Sequence, residues 1–226
     1  NTKLYTGTGS ELAITGVGFQ PDWVWIKNRS DTHQHVLSDS VRGTGKELRS
    51  DTDGAETTNG DITAFGSDGF SISSNGQVSN NGNNFASWNW KAGTGQGSSN
   101  TDGSIDTAYT SVNTTAGFSI SSFTGTGANA TFGHGLGAVP KMYILKRYDS
   151  SNNWRVYHES VGNGKYMTLE TTEAEQTSSG FTNNTSPTSS LISLGNLGSA
   201  NPSGGSVICY AFAEKQGYSK FGSYTG

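Results

Sequence analysis

The chain repeats itself, and that constrains its folding more than any other feature. Tyr5-Thr6-Gly7-Thr8-Gly9 returns as Phe123-Thr124-Gly125-Thr126-Gly127. The run Gly18-Phe19-Gln20-Pro21-Asp22-Trp23-Val24-Trp25-Ile26-Lys27 returns as Gly137-Ala138-Val139-Pro140-Lys141-Met142-Tyr143-Ile144-Leu145-Lys146. Asp39-Ser40-Val41 matches Glu159-Ser160-Val161, Ala55-Glu56 matches Ala174-Glu175, and Phe85-Ala86-Ser87-Trp88-Asn89-Trp90 aligns with Val207-Ile208-Cys209-Tyr210-Ala211-Phe212. The offset stays between 118 (Tyr5 to Phe123) and 122 (Phe85 to Val207), as one unit copied in tandem requires. A third fragment, residues 217–226, resembles 117–125, so a further unit is expected to begin where the sequence stops.

Each copy reads as strands. Trp23 to Lys27 is a continuous β-prone run, the pattern of a strand covered on both faces. Ile62 to Phe65 and Phe70 to Ser73 alternate around Asp68-Gly69, which reads as a hairpin turn. A sustained helical period is missing; one helical turn is expected near residues 171–176. Glycine supplies 32 of 226 residues and charged residues only 14%, but aromatics reach 11% and the net charge is −4. Disordered chains combine few aromatics with high net charge, so the polar residues belong to turns and solvent faces of a folded β protein. The expected fold is all-β: two tandem β-sandwich units of jelly-roll or lectin-like outline. The first spans residues 1–97; the second, with its bridging strands, spans 98–226. Residues 93–100 are the natural linker, and two separate sandwiches are expected because each copy holds enough strands for its own core.

Several segments together resemble a tandem repeat domain of tail and virion structural proteins of marine bacteriophages, and of related surface proteins of aquatic bacteria. They are GFQPDWVWIKNR, DSVRG, the Trp88/Trp90 strand ending in Lys91-Ala92-Gly93, and GHGLGAVPKMYILKR followed by NWRVYHESVG. The resemblance covers nearly the whole chain. It implies a lectin-like β-sandwich in an extracellular or virion assembly, and it brings no catalytic residue with it.

The chemistry-bearing residues are few. Cys209 is the only cysteine and lies in an apolar run, where a thiol is buried and inert rather than nucleophilic. His33 and His35 alternate, and would share a metal only with further ligands nearby. His134, in Gly133-His134-Gly135-Leu136-Gly137, reads as the cap of a tight turn. Asp51 and Asp53, and Asp102 and Asp106, are weak calcium candidates, because hard cations want several oxygens around a sharp turn. A glycosidase needs two carboxylates at a set separation, and the acidic pair Asp39 and Glu159 fall in different copies. Trp23, Trp25, Trp88 and Trp90 are replaced in the second copy by Met142, Ile144, Tyr210 and Phe212, so these positions read as core. Trp154 sits in the polar stretch Ser150-Ser151-Asn152-Asn153-Trp154-Arg155, near Tyr148 and Tyr157. That cluster is the expected place for a glycan or partner contact.

Function follows as an expectation. The 14 basic residues are scattered, against nucleic acid, and no apolar run approaches the roughly 20 residues that span a bilayer. No cofactor is expected. The chain reads as a non-enzymatic structural subunit of an extracellular or virion assembly, such as a tail appendage or repeated β filament. It is expected to self-assemble through terminal strands, with Tyr5, Phe221 and Tyr224 at the contact. The competing reading is a carbohydrate-binding module for cell-surface glycans.

Overall fold

The structure, a computed structural model, describes residues 1–225; Gly226, the last residue of the expected linking segment, lies outside the described residues. The N-terminal part runs β1 (Thr2–Thr6), β2 (Leu12–Thr15), β3 (Trp23–Asn28), β4 (Val36–Asp39), β5 (Ile62–Gly66), β6 (Gly69–Ile72), a helical turn α1 (Gly76–Ser79) and β7 (Asn84–Trp90). The remainder runs β8 (Tyr109–Asn113), β9 (Phe118–Thr124), β10 (Ala130–Gly133), β11 (Pro140–Arg147), β12 (Arg155–His158), β13 (Lys165–Thr168) and β14 (Gln176–Thr177). It ends with a helical turn α2 (Ser179–Thr182), β15 (Leu191–Leu194) and β16 (Ser206–Ala213). The molecule is all-β, built of several sheets whose named strands all pair antiparallel.

One sheet has the order β1-β7-β3-β4, and a three-stranded sheet β2-β6-β5 lies over it. A seven-stranded sheet has the order β14-β13-β12-β11-β16-β9-β8, and a pair β10-β15 lies over that. The period-2 alternation of side chains explains the stacking. On β3, Val24 and Ile26 enter a core with Ile14, Ile62, Phe70, Ile72 and Phe85 under the three-stranded sheet. On β16, Val207, Cys209 and Ala211 enter a core with Phe132, Ile192 and Phe181 under the β10-β15 pair. The opposite faces meet each other. Trp23 and Leu37 from one sheet pack with Phe118, Ile144, Ile208 and Tyr210 from the other. Trp23 stacks on Tyr210 with ring centroids 4.3 Å apart. Each half thus has a core of its own between its two sheets, and a third core, as aromatic as any, joins the halves.

Local chemistry sets the connections. The β5–β6 turn is Ser67-Asp68, one residue earlier than expected, because Gly66 pairs with Gly69. A side chain at Gly69 would place its Cβ 1.8 Å from the Ile14 carbonyl oxygen, so β2 approaches only because the residue is glycine. Asp68 accepts the backbone N–H groups of Gly16 (2.9 Å) and Gly18 (2.7 Å), fastening the turn between β2 and β3. No helix forms at residues 171–176. The helical turns lie instead at α1, where Asn75 caps by accepting from Gln77, and at α2, where Ser178 accepts from Gly180. Residues 93–100 are no slack linker either. The buried Asp22 carboxylate accepts the N–H groups of Ala92 (2.7 Å), Thr94 (3.1 Å) and Gly95 (2.7 Å).

Candidate functional site

The densest polar chemistry lies along the seam between the halves. Trp154 enters it from the start of β12 and is fully buried, not presented on a polar turn. Its indole N–H donates to the carbonyls of Arg49 (2.9 Å) and Thr52 (3.1 Å). Lys146 reaches over its ring, 5.8 Å from the centroid, and donates to the carbonyls of Asp53 (2.9 Å) and Asn152 (2.6 Å). Burial pushes that ammonium down to about 8. Backbone bonds run alongside, from Glu56 N–H to Tyr148 O and from Asn152 N–H to Asp53 O, both 2.8 Å. The contact cluster expected on the surface is thus taken apart. Trp154 joins the two halves, Tyr157 is buried against Tyr143 with centroids 4.7 Å apart, and Tyr148 is half-buried beside the seam.

Charge is buried there too. Arg42 donates to Asp39 (2.6 Å) and Glu56 (3.0 Å), and Tyr210 donates its hydroxyl to Asp39 (2.7 Å) across the seam. Glu159 instead pairs with Lys141 (2.5 Å) on the surface. Nearby, the buried Glu47 and Asp61 share Arg49, at 2.7 and 3.5 Å, and Glu47 Oε1 also accepts from Thr57 (3.0 Å) and Asn59 (2.5 Å). Glu47 Oε2 and Asp61 Oδ1 have no other partner among the described residues. Burial, and then the hydrogen bond and charge of Asp61, push the Glu47 carboxyl up to about 7.

One end of the seam opens into a groove of about 260 Å³ lined by Trp25, His35, Ser50, Asp51, Leu169 and Glu170. The Trp25 indole donates to His35 Nδ1 at 2.7 Å, and burial lowers the imidazole's pKa. Trp88, edge-on to Trp25 at 6.4 Å, is 38% exposed beside it. Of the four tryptophans read as core, Trp23 is buried, Trp25 and Trp90 are partly buried against the inner core, and Trp88 faces solvent.

The seam repeats one arrangement twice. The backbone N–H of His35 donates to Asp51 (3.3 Å), and that of Trp154 donates to Glu170 (3.2 Å). Lys27 donates to the His33 carbonyl as Lys146 does to that of Asn152, each at 2.6 Å. All four residue pairs are separated by 119 positions, for example His35 and Trp154.

The remaining candidates lie apart. Asp51, Asp53, Asp102 and Asp106 are exposed on two loops, and among the described residues no three His, Cys, Asp or Glu gather as a metal site. His33 lies 3.7 Å from Asp31, away from the tryptophan-bound nitrogen of His35. His134 is buried; its Nδ1 accepts from Leu136 N–H at 3.2 Å, a turn cap as its sequence predicts. Burial pushes the Cys209 thiol well up, which keeps it unreactive. Tyr5 stacks on Phe85 at 5.0 Å and donates to the Val78 carbonyl. Phe221 rests near Phe212 and His158, whereas Tyr224 is 95% exposed. Among the described residues no helix is long and apolar enough to cross a membrane.

A family model described as a domain of unknown function (DUF7483) matches residues 1–226. No curated protein and no solved structure matches the chain.

Proposed function

We propose, for a chain that belongs to the DUF7483 family over residues 1–226, that it is a non-enzymatic structural subunit of an extracellular or virion assembly. On this reading it is two copies of one β-sandwich unit packed back to back. The strand orders support the duplication: β1-β7-β3-β4 in one sheet runs parallel to β9-β16-β11-β12 in the other. So do the paired hydrogen bonds at a constant separation of 119. The observation that carries the structural reading is the seam. Trp154, Lys146, Tyr210 and Asp39, the residues best suited to chemistry or recognition, are spent joining one copy to the next. A unit that holds its own twin in this way is suited to stacking in series. Electron micrographs of the purified chain test the reading: rings, fibres or other regular oligomers support it, and dispersed single particles at every concentration overturn it.

The groove favours a second reading, a carbohydrate-binding surface. Partly exposed Trp25 and Trp88 offer apolar faces to a sugar ring, and Asp51 and Ser50 offer hydrogen bonds beside them. A glycan array probed with the parent and with Trp88→Ala separates the readings. Binding lost in the variant supports recognition, and no binding by either protein sets it aside.

A further inference from the structure

The groove at the open end of the seam has a filled counterpart. Trp154 donates to the carbonyls of Arg49 and Thr52, the residues on either side of Ser50-Asp51. The positions 119 after Ser50 and Asp51 are Leu169 and Glu170, and these line the groove together with His35, the position 119 before Trp154. An indole fills one side of this arrangement. On the other stands the smaller imidazole, and beside it the groove stays open. One carboxylate comes from each half: Asp51, which is exposed, and Glu170, which is half-buried. Each accepts a backbone N–H, from His35 and from Trp154, so both are held in place. Neither forms an ion pair among the described residues. The ammonium groups of Lys27 and Lys146 are taken by backbone carbonyls. Ser50, only 6% exposed, lines the same groove, and its hydroxyl has no hydrogen-bond partner among the described residues.

We propose that this groove binds a single sugar ring that carries an ammonium group, an amino sugar of the glucosamine type. Charge complementarity selects it. Two carboxylates without cationic partners favour a cation between them, and an ammonium donates to a carboxylate more strongly than a neutral hydroxyl does. Trp25 and Leu169 supply apolar surface for the C–H face of the ring, and the indole adds attraction for the positive charge. The Ser50 hydroxyl is left to meet a hydroxyl of the sugar. A volume of about 260 Å³ is at the small end of ligand sites, room for one ring rather than a chain of them. The same carboxylates turn acidic sugars away, because like charges brought together are costly. The inference rests on the recognition reading of the groove and narrows it to one class of sugar.

Calorimetric titration of the intact chain with a glucosamine disaccharide, and with the same disaccharide N-acetylated, tests it, because acetylation removes the ammonium charge. The glucosamine form should bind at least about tenfold more tightly. Asp51→Asn combined with Glu170→Gln keeps acceptors for the His35 and Trp154 N–H groups and removes both charges. That variant should lose the preference while its melting temperature stays near that of the parent. Glu11→Gln combined with Asp106→Asn removes two exposed charges elsewhere and should keep the preference, which separates the groove from general attraction to an acidic protein. If both disaccharides bind the parent equally, the ammonium claim is wrong and the recognition reading stands. If dilysine binds as tightly as the amino sugar, the groove is a plain cation site and the sugar claim is overturned. If neither disaccharide binds, the inference falls, and the glycan array with Trp88→Ala decides the recognition reading by itself.

Discussion

At the scale of single residues, Trp154 shows how a polar neighbourhood misleads. Its preceding serines and asparagines suggest a surface turn, yet Trp154 and Val156 alternate into the inner core while Tyr157 points to the outer one. That alternation was visible in the sequence; what was not visible was a second sheet close enough to receive the indole. Trp154→Ala should cost about 3–5 kcal/mol in urea denaturation, the usual loss for an emptied aromatic site. A variant that unfolds like the parent would remove Trp154 from the seam. Glu47 and Asp61 offer a second test, and no sequence pattern marks them because fourteen residues separate the partners. The folded Glu47 carboxyl titrates near 7 against 4.5 when unfolded, so the folded state holds the extra proton. Its contribution is fully present below pH 4.5 and is lost as pH rises toward 7, at no more than about 1.4 kcal/mol per pH unit. Glu47→Gln should flatten that decline in melting temperature. A parent and variant with the same pH dependence would contradict the shared proton.

At the scale of elements, strand positions were legible and their joints were not. The continuous apolar run of β3 sits between two cores as its composition predicts. The hairpin turn, by contrast, moved by one residue, because the β5–β6 ladder and the close pass of Ile14 fix where glycine must stand. Under the proposed duplication, the position that matches Asp39 also moved. Asp39 lies opposite Trp23 and His158 lies opposite Met142, so structural register matches Asp39 with His158 rather than Glu159. Composition marks residues 93–100 as a linker, and composition carries no trace of the distant carboxylate that pins their start. Asp22→Ala strands the buried donor at Ala92, which costs on the order of 1–3 kcal/mol, and turns the more exposed donors at Thr94 and Gly95 to water. The variant should lose about 1–3 kcal/mol in denaturant titration and exchange the amides of Ala92, Thr94 and Gly95 rapidly. Unchanged exchange would show that the anchor is dispensable.

At the scale of the whole molecule, the proposed duplication would account for the arrangement of the sheets. Two sheets of like strand order face each other, each backed by a smaller sheet, and the largest side chains meet between them. The matched segments that suggest a repeat were plain in the sequence. The packing of the two large sheets against each other was not, because Trp23, Trp25 and Trp90 look the same whether they fill the core of one half or the contact between halves. The account holds that a chain already bound to its own twin also binds further copies of itself. Sedimentation equilibrium of the intact chain across a wide concentration range measures this directly. The account predicts a weight-average mass that climbs from 23.7 kDa to at least twice that value as concentration rises. A mass fixed at 23.7 kDa throughout would contradict it.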